Sequence, residues 1–204
     1  MRTKRLSLDT LQPSGARGGP FLLANDGGLL DGTWFNSAFW KYGNVQAQML
    51  VFDDRDVIGI RSITKYVTKS YPQDIFTAGK GSYRLFAAAA GKAGGASARS
   101  KKKKGRGSAP PDRWTTKLPI RAYAMILTPR HVVLAGTPDV VDRRDPWAAL
   151  EGRAGGVLAI HARADGKQVA KTKLKDAPLN DGLAAAGGRL YLTTVGGTVM
   201  CVGR

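Results

Sequence analysis

Residues 188–202 read Gly188-Arg-Leu-Tyr-Leu-Thr-Thr-Val-Gly-Gly-Thr-Val-Met-Cys-Val202. Two runs rich in β-branched and aliphatic residues flank Gly196-Gly197 in this stretch. Two adjacent glycines suit a two-residue hairpin turn with positive φ at both positions. The stretch therefore predicts a β-hairpin.

The predicted turn fixes the register of this hairpin. It pairs Val195 with Thr198, Thr193 with Met200 and Leu192 with Cys201. One face then carries Leu190, Leu192, Val199 and Cys201, and the other carries Tyr191, Val195, Met200 and Val202. Because both faces are apolar, we expect a packed neighbour above and below, as in the stacked sheets of a β-propeller.

Similar runs recur upstream, and glycine is frequent, at 26 of 204 residues. The segment 49–60 reads as strand, acidic turn and strand, with Asp53, Asp54 and Asp56 favoured by turn chemistry. Four strands are predicted at 120–127, 131–135, 156–162 and 167–174, which make one four-stranded sheet. The segment 183–202 adds about three strands, so that sheet needs a further strand from elsewhere in the ring.

These patterns predict an all-β protein, a partial β-propeller of four-stranded antiparallel blades. At ~40–45 residues per blade the chain has room for about four blades, so we expect a fragment of a larger ring. Three segments are expected: an N-terminal propeller segment at 1–86, a basic low-complexity linker or insertion at 87–112, and C-terminal blades at 113–204. The linker contains no aromatic or β-branched residue that could support a core.

Composition narrows the functional classes. The single cysteine, Cys201, excludes an intrachain disulfide. No signal peptide and no run long enough for a transmembrane helix occurs in this sequence. The formal net charge of +17 favours contact with polyanions, and Lys101 to Lys104 concentrate that charge in the predicted linker.

Two stretches carry a resemblance to a known family. Gly156-Val-Leu-Ala-Ile-His-Ala-Arg-Ala-Asp-Gly-Lys-Gln-Val-Ala170 and Gly187-Gly-Arg-Leu-Tyr-Leu-Thr-Thr-Val-Gly-Gly-Thr-Val-Met-Cys-Val202 resemble the repeat of PQQ-binding-like β-propeller proteins, the quinoprotein-alcohol-dehydrogenase-like superfamily. The match covers about the last fifty residues. A looser similarity lies around Trp34 to Trp40 and Arg121 to Asp139.

The resemblance implies a fold and a location. Large bacterial propellers of this superfamily commonly sit in the envelope or periplasm. Ala170 stands where the repeat places its docking tryptophan, and a lone Cys201 cannot supply the vicinal cysteine pair that enzymes of the superfamily use for their quinone. PQQ and calcium are therefore expected only if the chain is a quinone-dependent dehydrogenase.

Candidate site residues fall in three groups. Asp139, Asp142 and Asp145 are candidate ligands of a hard cation, although Arg143 and Arg144 also stand ready to pair with the acids of this loop. Trp34 and Trp40 are stacking candidates for a sugar, quinone or nucleobase, or core residues beneath a long connection. Lys101, Lys102, Lys103 and Lys104 are candidate anion-binding residues. Trp114 and Trp147 are expected to anchor packing, and His131 and His161 to be strand histidines without a metal.

No catalytic residue can be named from these patterns. We predict a non-catalytic β-propeller scaffold or binding module that acts through inter-strand loops, with protein partners or the remaining blades as its contacts. Self-association is expected because an open propeller piece exposes strand edges and apolar faces. Two alternatives stay open: a PQQ-dependent oxidoreductase with calcium, and a polyanion or nucleic-acid binder that uses the basic linker.

Overall fold

A computed structural model describes residues 3–7, 21–25, 40–42, 45–61, 79, 83–90 and 111–203. Every helix or strand assigned within these ranges is a β-strand, which confirms the all-β class. No helix that could cross a membrane, by length and apolar character, occurs among them. The strands are β1 (Thr3–Ser7), β2 (Phe21–Asn25), β3 (Trp40–Tyr42), β4 (Val45–Ala47), β5 (Met49–Phe52), β6 (Asp56–Arg61), β7 (Tyr83–Ala89), β8 (Asp112–Leu118), β9 (Ile120–Leu127), β10 (His131–Pro138), β11 (Gly156–Ala162), β12 (Gln168–Leu174), β13 (Pro178–Ala186), β14 (Arg189–Thr194) and β15 (Val199–Val202).

Strands that follow each other in sequence are also neighbours in space. The sheet orders are β1-β2-β3-β4, β5-β6-β7-β8, β9-β10-β11-β12 and β13-β14-β15. The chain divides into two compact units, one of Met1–Pro72 with Phe86–Trp114 and one of Gln73–Leu85 with Thr115–Arg204. Pairing of strands that are consecutive in sequence is the common arrangement in antiparallel sheets.

The first unit has its own apolar core. Its buried members are Tyr42, Val45, Ala47, Val57, Phe86 and Ala88. Gly59 on β6 lies against this cluster, where a Cβ would come within 2.6 Å of the Ala47 methyl and 2.9 Å of the Phe86 ring. The Arg61 guanidinium covers the Phe86 ring at 3.4 Å from the ring centroid.

The β5–β6 hairpin closes at the predicted acidic turn. The side-chain Oδ1 of Asp53 accepts hydrogen bonds of 2.9 Å from the backbone N–H groups of Arg55 and Asp56. An aspartate that bonds backbone groups two and three residues ahead stabilises a tight turn. The structure therefore assigns Asp53 the turn role that the sequence predicts.

The end of β7 overlaps the predicted linker. Ala87 and Ala88 are buried in this strand, so the ordered sheet extends into the segment predicted as 87–112. On the other side β8 begins at Asp112, whose carboxylate pairs with Arg61 at 2.8 Å. Residues 91–110, and with them Lys101 to Lys104, lie outside the described residues.

In the second unit, β9 to β12 form the four-stranded antiparallel sheet predicted for 120–174. This sheet contributes Ala124, Val133, Ala135, Leu158 and Leu174 to one buried cluster. Ile120, Val157 and Ala159 form a second buried cluster. Since side chains alternate along a strand, Leu158 and its neighbour Val157 point to opposite faces, and both are buried.

The last sheet has three strands, as expected, and packs on one face. Its first strand, β13, lies against β9, the first strand of the preceding sheet. Leu183 and Leu192 complete the buried cluster, and Leu190 and Met200 pack against its margin. The second unit therefore contains two sheets joined by a shared apolar layer.

The hairpin of β14 and β15 closes with a different turn from the predicted one. The N–H of Thr194 donates to the Thr198 carbonyl at 3.0 Å, and the N–H of Gly197 donates to the Thr194 carbonyl at 3.1 Å. These bonds enclose a three-residue loop, in which Gly197 has a φ of 76° and Gly196 does not have a positive φ. The geometry corresponds to a type I turn followed by a left-handed residue, so the predicted two-residue turn is wrong.

The longer loop shifts the register by one residue. Leu192 pairs with Met200 and Tyr191 pairs with Cys201. Because side chains alternate along a strand, this shift exchanges the two faces of β15 relative to the prediction. Met200 faces the core beside the leucines of β14, whereas Val199 and Cys201 lie on the face of Tyr191.

That second face is exposed. Tyr191, Val199 and Cys201 are all accessible to solvent in the described part of the chain. The expectation that this hairpin is sandwiched between two neighbours is therefore wrong there, and one face alone is packed. The two-residue turn with positive φ occurs instead at Gly187-Gly188, which has φ values of 56° and 74°.

We predict that Gly136→Ala strongly destabilises the protein. A Cβ at this β10 position would overlap the Arg121 carbonyl oxygen and lie 2.7 Å from the Ala122 Cα, and backbone atoms of a paired strand cannot move aside cheaply. We expect a loss of about 3 kcal/mol or more. Urea unfolding measures this as a lower midpoint at unchanged slope.

Gly187→Ala is the matched control for this substitution. Nothing lies within 4 Å of its Cβ position, so its cost comes from the positive φ alone and should be about 1 kcal/mol. Equal losses for the two variants would contradict the close approach of β9 and β10 at Gly136.

Candidate functional site

The connection between β10 and β11, residues 139–155, folds into a compact loop. Its backbone is closed by bonds from Ala148 N–H to the Asp145 carbonyl at 3.2 Å and from Glu151 N–H to the Trp147 carbonyl at 2.9 Å. A register shift of β10 against β9 between Ala135 and Gly136 precedes the loop. Such irregularities re-aim a strand end and are frequent beside functional sites.

The acidic residues of this loop do not converge. Asp139 is buried, and its Oδ1 accepts a hydrogen bond of 2.9 Å from Gly79 N–H. Asp142 Oδ1 accepts one of 2.8 Å from Arg144 N–H, as in a local turn. Asp145 binds Arg153 Nη2 through both carboxylate oxygens, at 2.7 and 2.9 Å.

These partners give each carboxylate a structural role. Arg153, rather than Arg143 or Arg144, supplies the side-chain cation, and it also pairs with Glu151. The Arg153 guanidinium lowers the pKa of the Asp145 carboxyl. Over the described ranges, no group of three or more His, Cys, Asp or Glu side chains is placed to hold a metal ion.

The loop and the ends of two strands form a pocket of about 320 Å³. This volume is at the lower end of the range for small-molecule sites. All of the lining residues belong to the second unit. They are Arg121, Thr137, Pro138, Asp139, Val140, Val141, Pro146, Trp147, Ala149 and Leu150.

The rim of the pocket is apolar and accessible. Trp147 is 61% exposed, Val140 and Val141 are each about half exposed, and Leu150 is also exposed. Trp147 is therefore no packing anchor, and that expectation is wrong. A contiguous group of large exposed apolar side chains is a common feature of binding surfaces.

Three polar residues, Arg121, Thr137 and Asp139, also line the pocket, and each takes part in a hydrogen bond. Arg121 Nε donates to the Tyr83 hydroxyl at 3.1 Å. Burial raises the pKa of the Tyr83 phenol, and the Arg121 guanidinium opposes part of this rise, whereas the Asp139 carboxylate adds to it. Thr137 Oγ1 lies 3.3 Å from the Tyr123 hydroxyl, which in turn lies 3.4 Å from the Leu150 carbonyl.

The other residues named from the sequence lie elsewhere. Trp40 begins β3 and is exposed, whereas Trp34 lies outside the described residues. His131 begins β10 and is partly buried. His161 on β11 is fully buried, with Nδ1 at 2.9 Å from the Gly166 carbonyl.

Comparison with known proteins gives little further guidance. No family model matches the chain, and no curated protein matches it. A solved structure described as the computationally designed Ika4 protein is similar, with a TM-score of 0.40 and 12% identity. The alignment covers 93% of this chain and 82% of that one.

Sequence reasoning located part of this site but not its use. It predicted a candidate cation site at Asp139 and the neighbouring acids, and it predicted only a packing role for Trp147. The apolar pairs Val140-Val141 and Pro146-Trp147, in a loop that also carries seven charged residues, were the available signals. Apolar residues in a polar connection either pack inward or serve a binding surface.

We predict that Tyr83 makes stability fall at alkaline pH. Its folded pKa is raised above the ordinary value of 10.0, so its contribution is complete below pH 10.0 and is lost as the pH rises through the folded value. The difference in unfolding free energy between wild type and Tyr83→Phe should be constant below pH 10.0 and should shift against wild type above it. Urea unfolding across this range measures the difference.

Tyr191→Phe controls for loss of a phenol at an exposed position. A Tyr83→Phe difference that does not change with pH, or that changes no more than for Tyr191→Phe, would contradict the buried setting of Tyr83.

Proposed function

We propose that this chain is a non-catalytic binding module, built as part of a β-propeller, that receives an uncharged apolar group in the pocket of residues 139–150. The observation that carries this proposal is the group of exposed apolar side chains, Trp147, Val140, Val141 and Leu150, that lines one pocket. Inter-strand loops on a rigid sheet scaffold are common positions for binding sites. The pocket belongs to such a loop.

The order of the strands supports the propeller part of the proposal. Each sheet is a serial run of neighbours, and β13 adjoins β9 within the second unit. In a propeller the first strands of successive blades surround the axis, so they are also expected to adjoin. The repeat-like residues of 156–170 and 187–202 agree with blades of the PQQ-like class.

The charges around the pocket favour a neutral occupant. The chain as a whole carries +17, but the segment 139–155 contains four acidic and three basic residues. Within the lining, Arg121 and Asp139 contribute one charge of each sign. Neither an anion nor a cation would gain a strong net attraction here, whereas an apolar group would gain from desolvation.

Trp147 is the expected anchor for that occupant. Its indole is large and accessible, and it stands beside Val140, Val141 and Leu150. Aromatic rings stack on flat apolar groups with a gain beyond the buried area. The fitting class is therefore a neutral aromatic ring, either of a small molecule or of a partner's side chain.

Two sequence-based alternatives stay predictions. The basic run Lys101 to Lys104 and the stacking candidate Trp34 lie outside the described residues. The quinone-dependent enzyme would need calcium at Asp139, Asp142 or Asp145. These carboxylates accept hydrogen bonds from Gly79, Arg144 and Arg153 respectively. Turnover of an alcohol or sugar with added PQQ and calcium would overturn the non-catalytic proposal.

We predict that neutral aromatic compounds such as indole, p-cresol and 2-naphthol bind the wild-type protein. Trp147→Ala should lower their affinity about tenfold, because stacking on the Trp147 ring and burial against it are lost. Ligand-observed NMR titration measures the affinities. Val141→Asp should weaken binding too, since it places a charge at the apolar rim.

Val195→Ala is the control for this experiment. Val195 is also 61% exposed but lies in the β14–β15 loop. Affinities that are unchanged in Trp147→Ala, or equally reduced in Val195→Ala, would refute the pocket as the binding site.

A further inference from the structure

The outer edge of β15 presents backbone groups to solvent. A backbone hydrogen bond joins Thr194 and Thr198. In an antiparallel ladder every second pair is hydrogen-bonded, so the next bonded pair is Leu192 with Met200. The intervening residues Val199 and Cys201 must then direct their N–H and C=O groups away from β14. Among the described strands none pairs with this edge.

This edge also lacks the usual protection. Exposed edge strands generally carry charges that discourage pairing with another chain. β12, the last strand of the neighbouring sheet, has exposed Lys171 and Lys173. β15 reads Val-Met-Cys-Val and has no charge, and Val199 is 69% exposed.

We propose that β15 pairs antiparallel with β15 of a second copy of this chain, about a two-fold axis through Cys201. The two three-stranded sheets then join into one of six strands. Cys201 lies opposite Cys201 of the partner subunit, and Met200 lies opposite Val202 of the partner subunit. This inference does not depend on the proposed pocket, and it gives to a second copy the edge at which a propeller ring would supply a fourth strand.

Symmetry and the uncharged sequence of β15 favour a second copy as the occupant. A two-fold axis normal to the sheet places the same face of both copies on the same side of the joined sheet. Residues opposite each other across the pairing, such as Met200 and Val202 of the partner subunit, therefore share a face. Their apolar row then continues from one sheet into the other. Two copies of net charge +17 repel each other at long range, but β15 has no charged residue, so pairing at this edge places no like charges directly opposite each other.

Cross-linking tests the register directly. In a bonded antiparallel pair the opposed Cα atoms are about 5.5 Å apart, within the range that a disulfide spans. Diamide takes one hydrogen from each of two thiols, is reduced to the hydrazine and leaves an S–S bond. Oxidation of the wild type should therefore give a covalent dimer joined at Cys201, identified by peptide mass spectrometry.

Sedimentation of unoxidised protein tests the pairing itself. Cys201→Ser should remain dimeric, because backbone bonds and apolar contacts hold the pair. Cys201→Pro should be monomeric, since proline removes an N–H that faces outward and leaves the β14 ladder intact. Val199→Lys should weaken dimerisation about tenfold by adding charges at the edge.

Val169→Lys is the matched control, because Val169 is 60% exposed on β12. It should dimerise like the wild type. Circular dichroism and thermal unfolding check that each variant is folded, and the cross-link decides the matter even if Cys201→Pro does not fold. A monomeric wild type, a dimer that diamide does not link at Cys201, or equal weakening by Val169→Lys would overturn the proposal.

Discussion

The apolar layer between the β9–β12 and β13–β15 sheets determines the second unit. Leu158, Leu174, Leu183 and Leu192 meet there, and each fully buried side chain of this size contributes about 1.5–3 kcal/mol. The layer holds β13 against β9 and orients the last hairpin. The strands β9 and β10, whose ends line the pocket, contribute Ala124, Val133 and Ala135 to this layer.

The sequence predicted the strands of this unit well because their apolar runs are separated by turn residues. It did not predict the register of the last hairpin. Gly196-Gly197 is compatible with a two-residue and a three-residue loop, and local chemistry does not distinguish them. The structure has the longer loop, which turns Met200 toward the leucine layer, a contact between distant parts of the chain.

The candidate site was less predictable for a similar reason. The carboxylates of 139–145 were visible as a cluster, but their partners were not. Asp139 bonds the backbone of Gly79, sixty residues earlier, and Arg121 bonds Tyr83, thirty-eight residues earlier. A single sequence does not reveal such pairings, so it could not distinguish a structural acid from a cation ligand or show that Trp147 points to solvent.

Gly79 does not line the pocket, but its backbone lies against Val141, which does. Its φ is 77°, and a Cβ there would lie 3.1 Å from both the backbone nitrogen and a side-chain methyl of Val141. Any larger residue would strain its own backbone and press on one wall of the cavity. A substitution at Gly79 would thus reshape the cavity from outside its lining, while every lining side chain keeps its identity.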